Sequence, residues 1–207
     1  MVIRRGEPWG EAVPSPPDLH LAGSDAEASA WVALHLQRGE PVPSFGVAAG
    51  DLARTMGGGT PERFPGTVTQ APVDVLRVDA GGGTTWAVAH VVARGRAWRG
   101  EARWAMNAQY IGSLDLAPRS HPNDGRMDVL VMSAQMPWRA RLVARRRART
   151  GTHLPHPDLA TTQTATATWA LPGRSSLWVD GVRWLTAPAN GLDVVITVVP
   201  DALTVIA

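Results

Sequence analysis

At 207 residues, with 44% hydrophobic and 18% charged content, the chain can build a packed core and is too apolar for wholesale disorder. It contains no cysteine, which excludes a disulfide framework, a thiolate nucleophile and a cysteine-ligated metal. All 20 basic residues are arginine, and the formal net charge is only +2, so any electrostatic function must come from local clustering.

Residues 1–17 are rich in Pro and Gly and lack periodicity, so they read as an irregular N-terminal arm. Arg4 and Arg5 are not followed by an apolar stretch, which argues against a secretory signal. No apolar run approaches the ~20 residues of a membrane-spanning helix. The expected location is the cytoplasm, peripheral to a membrane.

A short strand is expected at Leu19–Ala22 and a helix from Ala26 to Arg38, with Asp25 as its N-cap and Gly39 after its end. Val42–Ala48 reads as a short strand, and Asp51–Met56 as a short helix stopped by Gly57-Gly58-Gly59. Residues 18–72 are therefore an α/β fragment with too few strands for a complete sheet. From Val73 the period changes to two: Val73–Asp79, then Trp86–Val92 after a turn at Gly81-Gly82-Gly83. That glycine run is not a phosphate loop, because no helix follows it. Further strands are expected at Ala102–Ile111, Met127–Met132, Thr164–Leu171, Leu177–Val179, Leu192–Val199 and Leu203–Ile206. One helix, Pro137–Thr150, interrupts them, with Gly151 beyond its end. The fold class expected is α+β: a small α/β stub packed on an antiparallel β-sandwich at residues 73–207.

The helix near residue 140 carries Arg139, Arg141, Arg145, Arg146, Arg147 and Arg149. At ~1 kcal/mol per basic residue near an anionic bilayer, this face could hold the protein at a membrane; the alternative is a solvated face. Nucleic acid is not the expected partner, because no stacking-aromatic motif accompanies the arginines. His153-Leu154-Pro155-His156-Pro157-Asp158 has metal-ligand residue types but no evident third or fourth ligand, and reads as a rigid loop. Asp180-Gly181 reads as a hairpin turn, as does Asn123-Asp124-Gly125.

A series of landmarks adds a second line of argument. Ala105-Met106-Asn107-Ala108-Gln109-Tyr110-Ile111-Gly112 is followed by Leu116-Ala117-Pro118, Asn123-Asp124-Gly125-Arg126-Met127-Asp128-Val129, Arg149-Thr150-Gly151-Thr152-His153 and Val179-Asp180-Gly181. In this order they resemble the C-terminal half of the diacylglycerol kinase family, which includes the YegS-type lipid kinases and the sphingosine and ceramide kinases. Asp51-Leu52-Ala53-Arg54-Thr55-Met56-Gly57 resembles that family's GTGNDLARTLG segment, and Ala22-Gly23-Ser24-Asp25-Ala26-Glu27 stands where the family has its GGDGT loop.

The resemblance implies a truncated, divergent lipid kinase that transfers a phosphoryl group from ATP, with Mg2+, to a lipid hydroxyl. It implies Asp180 as the catalytic base, Gly23, Asp25 and Asp51 at the nucleotide, and Asp124 on a structural magnesium with carbonyls near His121 and Arg126. The family's GGDGT glycines are reduced to Gly23, its GTGND reads Val47-Ala48-Ala49-Gly50-Asp51, and its final Asp-Gly-Glu reads Asp180-Gly181-Val182. The competing expectation is therefore a non-catalytic lipid- or membrane-binding module that has lost ATP chemistry. A third is a subunit whose partner, or a second copy, supplies the missing lobe.

Overall fold

Across residues 9–58, 62, 64 and 66–207, which the computed structural model describes, there are three α-helices and fifteen strands. First come β1 (Glu11–Pro14), β2 (Leu21–Ala22), α1 (Asp25–Gln37), β3 (Phe45–Val47) and α2 (Asp51–Thr55). Then follow β4 (Thr67–Ala80), β5 (Gly83–Ala87), β6 (His90–Arg94), β7 (Ala102–Met106), β8 (Tyr110–Ile111), β9 (Leu114–Asp115) and β10 (Met127–Met132). The chain ends with α3 (Trp138–Arg147), β11 (Leu159–Thr164), β12 (Thr166–Leu171), β13 (Ser176–Val179), β14 (Val182–Thr186) and β15 (Leu192–Ile206). The fold class is α+β.

The sequence pattern explains how the layers form. In β4, Leu76, Val78 and Ala80 point to one face and Val73 and Val75 to the other, as period two requires. The first set joins Val194, Ile196 and Val198 of β15 in a core facing the second sheet. The second set joins Phe45, Leu52, Val32 and Ala28 in a core under α1 and α2. β15 runs antiparallel to β4, from Val194 opposite Ala80 to Ile206 opposite Gln70, with a bulge between Val199 and Leu203. Beyond the bulge, Leu203 and Val205 face the helical layer. The bulge thus hands one strand from one core to the other.

This first sheet has the order β1-β4-β15-β3-β2, with β5 also on β4 and β12 also on β15. Its β15–β3 and β3–β2 pairings are parallel. The second sheet, β11-β10-β7-β6-β13-β14, is antiparallel throughout. On its outer face, Trp104, Met106, Leu130 and Met132 meet Ala144 and Ala148 of the α3 segment.

Several boundaries differ from expectation. Part of the arm is a strand, β1, paired with β4 through Val13 opposite Val68; residues 1–8 lie outside the described residues, as does Gly59. The boundary at 72/73 falls inside β4, and the α/β stub extends the same sheet as the sandwich strands. The expected strand Trp86–Val92 is broken at Val88 and Ala89, whose amides donate to the Asp180 carboxylate.

Candidate functional site: a buried carboxylate–histidine cluster

Asp180 occupies the first position of a two-residue hairpin loop closed by Val179 opposite Val182. Its φ is 45° and that of Gly181 is 81°, the left-handed pair that such a turn uses. The turn reading is correct, yet the side chain does more than turn. It is 5% exposed and points inward. Its Oδ2 accepts the Val88 amide at 2.8 Å, and its Oδ1 accepts the amides of Ala89 at 3.0 Å and His90 at 2.8 Å. These are the amides that would otherwise pair with a neighbouring strand, and their diversion ends β5 and restarts the chain as β6. Burial pushes the Asp180 carboxyl up to about 6, against the pull of His90 and of those amides.

His90 is buried, and its Nε2 lies 3.1 Å from Asp51 Oδ2. Burial lowers its basicity, but the Asp51 hydrogen bond and the charges of Asp180, Asp51 and Asp25 outweigh it and raise the pKa above the usual 6.5. The other ring nitrogen, Nδ1, is buried without a partner. Asp51 opens α2, and its Oδ1 accepts the Gly112 amide at 2.7 Å. Arg54, one turn on, lies 3.9 Å over the Tyr110 ring and donates to Gly112 O at 2.5 Å, so α2 is tied to the β8–β9 ribbon.

Asp25 is not the cap of α1. Ser24 is: its side chain accepts the Glu27 amide at 3.2 Å, while Glu27 Oε2 accepts the Gly23 amide at 2.8 Å. Ser24 thus caps the helix, and Glu27 reaches back one residue further than in a capping box, to Gly23. Asp25 instead caps α2, its Oδ2 accepting Asp51 N at 2.6 Å and its Oδ1 accepting Leu52 N at 3.0 Å. Burial raises its pKa, opposed by those two amides. The close approach needs Gly50, whose φ is 110°: a Cβ there would stand 2.5 Å from Asp25 Oδ1.

Asp25, Asp51 and Asp180 are therefore brought together, with His90 at the centre. Sequence reasoning missed His90. The available signal was an ionisable residue inside the apolar run Ala89-His90-Val91-Val92, which demands a buried partner. Asp74 was missed for the same reason, between Val73 and Val75.

Asp124 sits elsewhere. Its Oδ1 accepts the Arg126 amide at 2.9 Å, and burial raises its pKa. The fully buried carboxylate of that region is Asp74, which accepts Gly125 N at 2.7 Å, Asp201 N at 2.9 Å and Asn123 Nδ2 at 3.2 Å. It ties the β10 approach to the β15 bulge. His153 donates through Nε2 to Leu116 O, 3.1 Å away, and His156 Nδ1 accepts the Asp158 amide at 3.0 Å.

The resemblance implies magnesium, and the donor chemistry can be tested against it. Ligand atoms of Asp25, Asp51 and His90 lie within 4.8 Å of one another, and this is the one acidic or histidine triplet of that kind among the described residues. Magnesium takes oxygen ligands in near-octahedral geometry. Here one donor is an imidazole nitrogen, and all four oxygens of Asp25 and Asp51 already accept an N–H or face one. The triplet does not fit magnesium, and Asp124 belongs to no such group.

A cavity of about 540 Å³ lies on the outer side of the second sheet, between Met106, Leu130, Leu154 and Leu159, and its lining includes none of the four cluster residues. The arginines of α3 lie on that same outer side. No helix among the described residues is long and apolar enough to cross a membrane.

No protein-family model matches the chain, and no curated protein does. Solved structures do. Two solved structures of a candidate diacylglycerol kinase from Bacillus anthracis str. Sterne align with TM-scores of 0.61 and 0.62 at 14% identity, over 91% of this chain and 78% and 77% of theirs. A third structure from that strain, of a diacylglycerol kinase, aligns with a TM-score of 0.58 at 14% identity, over 91% of this chain and 75% of its own. At this identity the likeness is one of fold: the chain has the architecture of these diacylglycerol-kinase structures.

Proposed function

We propose that the protein is a divergent protein of the diacylglycerol-kinase fold that binds a lipid or membrane surface and does not transfer phosphoryl groups. One observation carries the reading. The loop standing where the resemblance puts a phosphate cradle is already filled by a carboxylate, because Glu27 Oε2 accepts the Gly23 amide. A phosphate would have to displace that anion and then lie beside it. Phosphoryl transfer depends on positioning and charge stabilisation, so a cradle closed in this way removes most of its catalysis. Asp180 supports the same reading. A general base must reach the proton it abstracts, and this carboxylate is turned inward onto three backbone amides.

The kinase reading has one observation in its favour: Asp25, Asp51 and Asp180, far apart in sequence, converge on His90. Titration calorimetry with ATP and Mg2+, with radiolabel transfer to diacylglycerols and sphingoid bases, decides between them. No binding heat and no labelled lipid are expected. Saturable ATP binding with lipid phosphorylation would overturn the proposal.

A further inference from the structure

The surface of α3 is built from two opposed faces. At 100° per residue, Ala140, Ala144 and Ala148 fall on one side, and there Ala144 and Ala148 are buried against the second sheet. Trp138, Leu142 and Arg146 run along the opposite side, with Arg145 on one flank and Arg139 and Val143 on the other. Trp138 is 65% exposed, Leu142 56% and Val143 50%. Scattered exposed apolar residues are ordinary, but three large ones on a ten-residue helix are a patch.

The patch extends beyond the helix. Arg141 does not face solvent as a charge. Its guanidinium donates to Met136 O at 2.9 Å, Ser133 O at 3.0 Å, Ala134 O at 3.3 Å and Gly100 O at 2.8 Å, and also to Trp98 O. It therefore clamps the Trp98 loop beside α3. Trp98 is 45% exposed, stacks on Trp104 with ring centroids 5.8 Å apart, and lies under the Arg94 guanidinium at 4.8 Å. The remaining arginines, Arg139, Arg145, Arg146, Arg147 and Arg149, make no ion pair among the described residues, and no acidic residue occurs between Trp138 and Thr150.

We propose that α3 and the Trp98 loop form an interfacial surface that docks the protein on a bilayer rich in anionic lipid. Trp138 and Leu142 enter the headgroup layer, and Arg139, Arg145 and Arg146 meet lipid phosphates. The occupant follows from combining two properties on one face. Unpaired arginines call for anionic partners, while tryptophan and leucine between them call for an apolar layer beneath the charge, as at a membrane interface. Nucleic acid would match the arginines but leave Leu142 and Val143 without use. Arg141 supplies the rigidity, since a pinned surface loses less entropy on docking than a mobile one.

This surface deepens the lipid-binding reading and rests on it, but its test contains no nucleotide, so it fails or stands apart from the kinase question. The whole chain is floated with phosphatidylcholine vesicles with and without phosphatidylserine, across a salt series. Binding to the anionic vesicles alone is expected, weakening with salt. Trp138→Ala with Leu142→Ala, both exposed and so harmless to folding, should lose about tenfold or more in affinity, with the salt dependence retained. Arg145→Gln with Arg146→Gln should lose about fivefold per arginine and flatten the salt dependence. Equal binding to both vesicle types would overturn the proposal. So would wild-type affinity in the Trp138/Leu142 variant, or duplex DNA displacing the protein from vesicles.

Discussion

At the scale of single residues, Asp180 is the most consequential side chain that the structure explains. Its carboxylate satisfies three buried amides at once. Asp180→Ala leaves all three unpaired, and at ~1–3 kcal/mol per orphaned buried donor it should cost at least about 3 kcal/mol in urea unfolding. A catalytic base with no structural role would cost far less. The same cluster sets a pH dependence. The His90 pKa is raised above 6.5, so the stability it contributes is present below that value and lost as pH rises through the raised value. Asp180 is raised from 3.8 to about 6, so the folded state binds more protons than the unfolded chain across that window, and stability again falls as pH rises. Both groups act in one direction. Urea midpoints should decline as pH rises between 3.8 and about 6, and decline again above 6.5, and His90→Gln should flatten the upper part of the decline. A midpoint that rises over these ranges would refute the upward shifts of His90 and Asp180. Asp180 was legible in the sequence as a turn, because Asp-Gly encodes one locally. Its burial was not, because the amides it serves lie 90 to 92 residues away.

At the scale of elements, local chemistry was read well where it was self-contained. The period-two run Met127–Met132 is β10, and Pro137 and Gly151 bracket α3 and its closing 3₁₀ turn. It misled where an element borrows its cap. Asp25 has the sequence of an N-cap and is one, but for α2, not for the helix it begins. That arrangement makes Gly50 indispensable. Gly50→Ala would hold an L residue at φ 110° and press a Cβ against Asp25. The backbone conformation alone costs about 1–3 kcal/mol and the loss of the cap about 1 more. Thermal unfolding should show this loss, and hydrogen exchange should show faster exchange at the Asp51 and Leu52 amides specifically. A change of that size without faster exchange there would mean that Asp25 is not what holds α2.

At the scale of the whole molecule, the change of hydrophobic period near Pro72 suggested two units, and the sheet unites them. The reason is β15, whose pairing could not be read from local pattern. Its first half lies in the core between the sheets and its last residues lie under α1 and α2, with β3 added in parallel beside Val205 and Ile206. Neither core is complete without that strand. Unfolding should therefore be one cooperative transition, although chains of this length often show more than one. Two reporters can test it. Trp169 is buried in the core between the sheets, and far-ultraviolet circular dichroism follows the whole backbone, α1 and α2 included. Their urea transitions should coincide. Phe45→Ala, which empties the fully buried Phe45 site beneath the helices, should cost about 3–5 kcal/mol and move both transitions together. If it moved the circular dichroism transition while leaving Trp169 at its original midpoint, the helical layer would be an independent unit. The continuity of β15 would then carry no energetic coupling between the two cores.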